Sequence, residues 1–248
     1  MDIAGKNVVV TGGASGIGKG MSERFASMGA TVVVSDVNAV GAAEVAEQIG
    51  GTAIACDVTD PASVDALVAG AVEAMGHIDL FFANAGIGAG GGLETDDQLW
   101  DLSMRINAMG PAYAARAVVP HLAERNGAFV ITASVAGLVT GPVSFNYAVS
   151  KHAAVGVAEW LAINHGHEIH VAAICPTVVD TPMIAEFGGA LIQPLSVDDV
   201  VDAVVEGLAA ETFLILPGEG GDQMLKAKLN DYDGFLANLN QRVTGAAG

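Results

Sequence analysis

Positive charge is what this chain has least of. Ten Lys and Arg stand against 28 Asp and Glu, and the formal net charge is -18. Holding nucleic-acid phosphates or an anionic membrane surface requires clustered Lys and Arg, so both partners are excluded as the main business of the protein. Cysteine is scarce as well. Cys56 and Cys175 fall at the ends of strand candidates that should lie apart, and they read as buried reduced thiols, not a disulfide. Aromatics make up 5% of the chain and charged residues 15%, against 52% hydrophobic, which excludes disorder and fits a compact globule. No apolar run is of membrane-spanning length: the stretch 106–123 contains Arg116 and two prolines and reads as a buried helix. Met1 leads into Asp2 and Gly5 without a basic-then-apolar export pattern, so a cytoplasmic location is expected.

What is present is alternation. Apolar strand candidates at 7–11, 31–35, 52–56, 79–83, 127–132, 169–175 and 212–216 are separated by helical stretches. That order implies right-handed βαβ crossovers, and hence a parallel, doubly wound α/β sheet with helices on both faces. A length of 248 residues suits one such domain over 1–248, and nothing marks a second.

The first strand candidate breaks into a glycine-rich turn, Thr11-Gly12-Gly13-Ala14-Ser15-Gly16-Ile17-Gly18, and then into a helical stretch at 17–28. Glycines at 12, 16 and 18 permit a tight turn, close approach of a pyrophosphate and close helix packing, while the helix N-terminus offers free N–H groups to the anion. The next strand ends in Asp36, where a carboxylate grips a ribose diol. These residues point to a dinucleotide.

Farther along, Tyr147 and Lys151 stand four apart, with Ser134 thirteen positions upstream. Helical residues i and i+4 share a face, so a phenol and an ammonium meet. A free phenol has a pKa near ~10 and is a poor acid or base at neutral pH. A neighbouring cation favours the phenolate, and a serine hydroxyl can hold the reacting oxygen beside it. The trio suits proton transfer to or from an alcohol or ketone.

With both motifs in hand, the chain resembles the short-chain dehydrogenase/reductase family, of the compact single-domain kind, from about residue 5 to 216. The turn matches that family's Thr-Gly-x-x-x-Gly-x-Gly element, bringing Ser15 and Ile17 into the cofactor set with the glycines. Cys56-Asp57-Val58 resembles its adenine contact, so Asp57 and Val58 are implied there. Asn84-Ala85-Gly86 resembles its Asn-Asn-Ala-Gly element, with Ala83 replacing the first asparagine. Asn107, Ser134, Tyr147 and Lys151 fall where the family keeps its catalytic tetrad. Pro176, Val179 and Thr181 belong to a segment similar to its nicotinamide-holding Pro-Gly-x-x-x-Thr, with Thr177 replacing the glycine. The resemblance implies a Rossmann-like seven-stranded sheet in the order 3-2-1-4-5-6-7. It also implies NAD as cofactor and reversible oxidation of a secondary alcohol to a ketone. In that scheme Tyr147 is the acid/base, Lys151 lowers its pKa and binds the nicotinamide ribose, Ser134 bonds the substrate oxygen, Asn107 holds a water, and Thr181 anchors the carboxamide. Two rivals are weighed against this. An NADPH-dependent 3-oxoacyl-type ketoreductase is opposed by Asp36 and by the lack of Lys or Arg from 25 to 104, apart from which only Lys19 and Arg24 lie near the turn. A nucleotide-sensing regulator without turnover is opposed by the complete Ser/Tyr/Lys set.

Other features are read more plainly. His165, His167 and His170 occupy a helix-to-strand turn with only Glu168 nearby, and no metal site is expected. The glycine-rich stretch 86–92 lacks the Lys-Ser/Thr of a phosphate loop and reads as a loop beside the nicotinamide. Asp180 reads as a turn or cap residue. The stretches 111–122 and 152–163 are apolar nearly all round and need cover on two sides, which implies a homodimer or homotetramer. After 217–221 the chain carries Leu225, Leu229, Tyr232, Leu236, Leu239 and Val243, a stripe of helical spacing. It predicts a C-terminal helical extension over 222–243, docked on the body or on a partner subunit, with a lid over the substrate as the alternative. The segment 183–195 should shape the substrate pocket. Lys and Arg are absent between Lys151 and Lys226, so a small, neutral, fairly apolar alcohol or ketone is expected.

Overall fold

Residues 1–88, 90–142, 144–187 and 193–245 are described by a computed structural model, with backbone alone at 185–187. Positions 188–192 of the expected substrate segment lie outside the described residues. The strands are β1 (Asn7–Thr11), β2 (Thr31–Asp36), β3 (Thr52–Ala55), β4 (Leu80–Ala83), β5 (Ala128–Thr132), β6 (His170–Ile174) and β7 (Leu214–Ile215). They form one parallel sheet in the order β3-β2-β1-β4-β5-β6-β7, as expected. Between them run α1 (Gly16–Ser27), α2 (Ala39–Ile49), α3 (Pro61–Met75), α4 (Asp97–Met104), α5 (Gly110–Ala123), α6 (Phe145–His165) and α7 (Val197–Ala209).

The central strands read as continuous apolar runs because both faces are covered, and successive side chains alternate between the two. Val9, Phe81, Phe129 and Val171 face α3, α5 and α6, meeting Leu67, Val118, Leu122 and Ala158. Val8, Val10, Phe82, Val130 and Ile174 face α1, α2 and α7, meeting Met21, Phe25, Val45 and Val204. Ring pairs tie these layers, Phe81 with Phe129 at 5.7 Å between centroids and Phe25 with Phe82 at 5.0 Å. Each is worth about 0.5–1.5 kcal/mol beyond its buried area.

The order reverses between β1 and β4, so the two halves of the sheet wind in opposite directions from that seam and leave a crevice at the carboxyl ends. The β1–α1 turn fits into it only because it is glycine. Gly12 has φ +66°, and a Cβ there would stand 2.8 Å from Ala85 Cα. A Cβ on Gly18 would collide with the Gly12 carbonyl oxygen, so α1 leaves the turn in direct backbone contact with it.

Two helical regions differ from expectation. Between α4 and α5 the chain takes a π-helical turn, Arg105–Met109, in which Gly110 N–H bonds to Arg105 O. Asn107 is in that turn, which inserts a residue into an otherwise continuous helical path. The tail is not one helix but two, α8 (Gly221–Asn230) and α9 (Tyr232–Gly245). Asp231 breaks the path at φ -150°, and its side chain accepts the Gly234 N–H at 2.9 Å to start the second helix. On a single chain the expected stripe is not docked on the body: Leu229, Tyr232, Leu236 and Val243 are exposed, and α9 buries no residue.

Of the two all-round apolar stretches, α5 buries Ala114, Val118 and Leu122, whereas α6 buries Ala154 and Ala158 but leaves Trp160 58% and Ile163 81% exposed. Among the described residues no helix is long and apolar enough to cross a membrane.

The glycine geometry makes a stability prediction. Gly18→Ala is expected to destabilise the fold by about 1–3 kcal/mol through overpacking. Urea unfolding measures it, and an unchanged midpoint would contradict the close contact between α1 and the turn.

Candidate active site

A cavity of about 1930 Å³ follows the carboxyl ends of the strands. Every site residue expected from the sequence lines it except Gly18, which packs α1 on the turn, and Asn107, which lies behind the wall.

At the glycine end, Ser15 precedes α1 without capping it through its side chain, and the first turn carries no acidic residue. The opening N–H groups of α1, beside Ser15, Gly16 and Ile17 on the cavity wall, therefore remain open to an anion. Asp36 ends β2 with Oδ2 accepting the Ala14 N–H at 3.1 Å and Oδ1 accepting the Asn38 N–H at 2.9 Å. These bonds hold the carboxylate at the cavity edge. Asp57 is held similarly, its Oδ1 accepting from Thr59 N and its own N–H donating to Ser63 Oγ.

Asn84 does structural work the sequence did not disclose. Its Nδ2 donates to Thr11 O at 2.9 Å, and its Oδ1 accepts from Thr132 Oγ1 at 2.9 Å. One side chain thus ties the ends of β1, β4 and β5. Thr11 Oγ1 completes the tie, accepting from Asn84 N and Ala85 N and donating to Phe82 O. Thr11 and Thr132 escaped sequence reasoning as site residues, because a threonine at a strand end carries no signal beyond β-propensity.

At the other end, Ser134 follows β5 and Tyr147 and Lys151 project from the first turns of α6. Ser134 Oγ accepts the Ala136 N–H at 3.1 Å, and its hydroxyl acts on Tyr147 to lower the phenol pKa. Lys151 Nζ donates to Thr132 O at 2.8 Å and lies 5.7 Å from the Tyr147 ring centroid. The expected depression of the phenol by the lysine is not found. Burial raises the Tyr147 pKa above its ordinary value, outweighing the lowering by Ser134, and burial brings the Lys151 pKa down to about 8. The ammonium is committed to a carbonyl and sits over the ring, and desolvation weakens its hold on its own proton.

Asn107 is fully buried. Its Oδ1 accepts the Ile87 N–H at 2.9 Å, and its Nδ2 donates to Ile87 O at 3.1 Å and Ser150 Oγ at 3.0 Å. Ser150 Oγ in turn donates to the Tyr147 carbonyl at 2.8 Å. The side chain thus clamps the loop after β4 to the helix bearing Tyr147, and its amide is spent on protein groups; a water held here would have to use the main chain. Beyond β6, Val179 bridges Leu195 and Asp180 N–H bonds to Leu195 O at 2.8 Å, so Asp180 is a turn residue. Thr181 packs on the glycine turn, where a Gly16 Cβ would stand 3.2 Å from its Cγ2.

The tail also reaches the site. Met224 and Ala227 of α8 and Phe235, Leu239 and Arg242 of α9 line the cavity. The expectation of a wall without a cation rested on the stretch between Lys151 and Lys226; Arg242, outside that stretch, removes its premise. Away from the cavity, His165 and His167 pair with Glu168 at 3.0 and 3.6 Å, and among the described residues no three His, Cys, Asp or Glu side chains could hold a metal.

A doubly wound parallel sheet with a Ser/Tyr/Lys cluster and a glycine turn in one cleft defines an oxidoreductase of the dinucleotide-binding class. A family model described as short chain dehydrogenase matches residues 6–190, and the chain belongs to that family. It is 33% identical to a 1-deoxy-11-beta-hydroxypentalenate dehydrogenase of Streptomyces avermitilis over 96% of this chain and 93% of that one. With a 2,5-dichloro-2,5-cyclohexadiene-1,4-diol dehydrogenase of Sphingobium indicum it shares 38% identity over 74% of this chain and 76% of the other. A short-chain dehydrogenase/reductase from Burkholderia phymatum, solved in complex with NAD, superposes with a TM-score of 0.86 at 29% identity, covering 94% of this chain and 96% of that one.

The buried lysine gives a signed pH prediction. Its pKa is lowered from 10.5 to about 8, so between those values the unfolded chain holds the proton and the folded one does not. Stability contributed by this group therefore rises from about pH 8 to 10.5, and the cost of burying the charge is fully present below pH 8. In the cofactor-free protein, Lys151→Met should be more stable than the parent at pH 7 by up to on the order of 3 kcal/mol, less the lost hydrogen bond to Thr132. The gap should close toward pH 10.5. Chemical denaturation across this range checks it; a gap that widens with pH would refute the assignment.

Proposed function

We propose that the protein is an NAD-dependent dehydrogenase interconverting a secondary alcohol and a ketone. The observation that carries the reading is that Ser134, Tyr147 and Lys151, the last anchored on Thr132 O, line one cleft with an uncapped helix N-terminus. The relatives support the reaction class, since both act, by their names, on hydroxylated compounds.

The residues fit a dinucleotide. The open N–H groups at Ser15, Gly16 and Ile17 suit the pyrophosphate. Asp36 suits the ribose diol, Asp57 and Val58 the adenine side, and Asn84, Ala85 and Gly86 the span between. Pro176, Val179 and Thr181 suit the carboxamide. Bound there, the nicotinamide supplies hydride transfer, an alcohol and NAD⁺ giving a ketone, NADH and a proton.

The chain's own groups handle the proton. Ser134 Oγ accepts from Ala136 N–H, which leaves its hydroxyl hydrogen to be donated to the reacting oxygen when substrate is bound, stabilising developing charge. Tyr147 takes the alcohol proton in oxidation and gives it back in reduction. Lys151 has one N–H on Thr132 O and two left for a ribose hydroxyl and the proton path. Asn107 acts by position, holding Ile87 and Ser150. Because burial keeps the phenol protonated at neutral pH, oxidation should speed up with rising pH as the coupled Tyr/Lys pair loses a proton.

Asp36 also bears on which nucleotide is used. A 2′-phosphate would bring like charges together, at on the order of 4 kcal/mol per unit charge at ~4 Å and an effective dielectric of about 20, before screening. Val37 and Asn38 offer no cation to offset it. We also infer a homo-oligomer formed through α6, whose Phe145, Val149, Trp160 and Ile163 are exposed on a single chain. Sedimentation should give a dimer or tetramer at micromolar concentration, and a monomer would remove this part of the reading.

The central test is Tyr147→Phe, which removes one oxygen and leaves the ring. NAD affinity should hold while kcat falls by about 10² to 10⁴. In the parent enzyme kcat/KM should strongly favour NAD over NADP, with Asp36→Ala narrowing the gap. A folded Tyr147→Phe protein that binds NAD and keeps more than about a tenth of the activity would place the acid–base group elsewhere.

A further inference from the structure

We propose that α9 carries a subsite for an anionic group at the far end of an otherwise apolar substrate, and that Arg242 binds it. The proposal rests on the dehydrogenase reading and deepens it: the substrate class becomes a secondary alcohol with an apolar body and a carboxylate remote from the reacting carbon.

Space comes first. Ordinary ligand sites enclose about 300–1,000 Å³. A cavity of about 1930 Å³ has room for a second molecule of some size beside a dinucleotide.

The wall of that extra space is built by the tail, and the tail is tied to the catalytic end. Lys228 Nζ donates to Leu138 O at 2.6 Å and lies 5.2 Å from the Tyr232 ring centroid. Gly221, which opens α8, lies against Val135, the residue after Ser134, so a Cβ there would meet Val135 Cγ2 at 3.1 Å. On α9 the cavity-lining residues Phe235, Asn238, Leu239 and Arg242 follow the spacing i, i+3, i+4, i+7 and share one face. With Met224 and Ala227 of α8 they make a mostly apolar surface that ends in a guanidinium, about 10 Å along the helix from Phe235.

Charge points the same way. This chain has 28 carboxylates for ten cations, and most of the cations are engaged. Lys6, Lys19, Arg24, Arg125 and Lys226 pair with carboxylates. Lys151 and Lys228 donate to carbonyls, and Arg116 lies over Tyr113. Among the described residues, no ion pair or side-chain hydrogen bond holds Arg242. Asp199, a cavity carboxylate, is taken up in the capping box with Ser196, and Asp231 is three turns back along the tail. An unpaired arginine on a cavity wall presents a planar fork that matches a carboxylate through two parallel hydrogen bonds. Its place in the last turn of α9 also complements the helix dipole, but that requires no exposure to the cavity.

The test uses (ω−1)-hydroxy fatty acids of graded length and their methyl esters, which keep the alcohol and the apolar chain and remove only the anion. Binding to the NAD-loaded protein is measured by calorimetry and turnover by NADH formation. Acids long enough to span the cavity should bind about tenfold or more tightly than their esters, with an optimum length. Arg242→Met should bring the acid-to-ester ratio close to one, and Arg242→Lys should keep part of it. Arg105→Met, which removes an exposed cation that does not line the cavity, should leave the ratio unchanged. Equal binding of acid and ester at every length, survival of the preference in Arg242→Met, or its loss in Arg105→Met would each overturn the proposal. Acids that bind with the preference but are never oxidised would leave the subsite standing and count against the dehydrogenase reading. Esters oxidised as well as acids would do the reverse.

Discussion

The seam between β1 and β4 is the constraint on which the rest of the molecule depends. Parallel strands that wind away from each other leave their carboxyl ends splayed, and the crevice must be held open without leaving buried backbone groups unpaired. Asn84 and Thr11 do this together, satisfying N–H and C=O groups at the ends of β1 and β4 with two side chains and reaching the Thr132 hydroxyl of β5. The glycine turn can then lie directly on the Ala85 backbone, with α1 on the turn.

The same seam sets the chemistry. Thr132 donates its hydroxyl to Asn84 and lends its carbonyl to Lys151, so the strap that holds the sheet also holds the lysine. The lysine is buried at a cost that a core residue would not incur, and burial moves it toward the pH range in which a proton relay works. Tyr147 is moved the other way. Burial pushing the ammonium pKa down from 10.5 and the phenol pKa up from 10.0 moves the two apart, so the uncharged forms of both groups are favoured. Asn107 and Ser150 form a second strap, from the loop after β4 to the carbonyl of Tyr147, and the π-helical turn is what aims the Asn107 side chain inward. The residues that hold the sheet therefore also hold the cavity wall, and positions such as Asn84 and Asn107 serve the candidate site by holding its frame.

The tail shows how specificity can be added to a shared frame. The sheet ends and their side-chain cluster form one side of the cavity. What closes over them is a pair of helices joined at Asp231, one strapped to the loop after Ser134 and the other presenting Phe235, Leu239 and Arg242 to the cavity. Changing that wall would reshape the cavity without touching Ser134, Tyr147 or Lys151.

Much of this was written in local pattern. Alternating apolar runs and helical stretches specify a parallel sheet because period and burial are local properties, and each strand was expected within a residue or two of where it lies. Gly12, Gly16, Gly18 and Asp36 were legible because backbone freedom and a single carboxylate leave marks in sequence. Tyr147 and Lys151 were legible because a helix repeats its face every four residues. Tertiary structure alone decided the rest. The stripe from Leu225 to Val243 assumed one unbroken helix, and Asp231 breaks it. The bridge that the Asn107 side chain makes between Ile87 and Ser150, partners twenty and forty-three residues away, leaves no mark in the sequence. Lys151 was expected to lower the phenol pKa, and burial, which no local pattern measures, raises it. Arg242 lines the cavity across nearly the whole length of the chain from the glycine turn. Periodicity and motif spacing report what neighbours along the chain require; desolvation and long-range contacts exist only once the chain has folded back on itself.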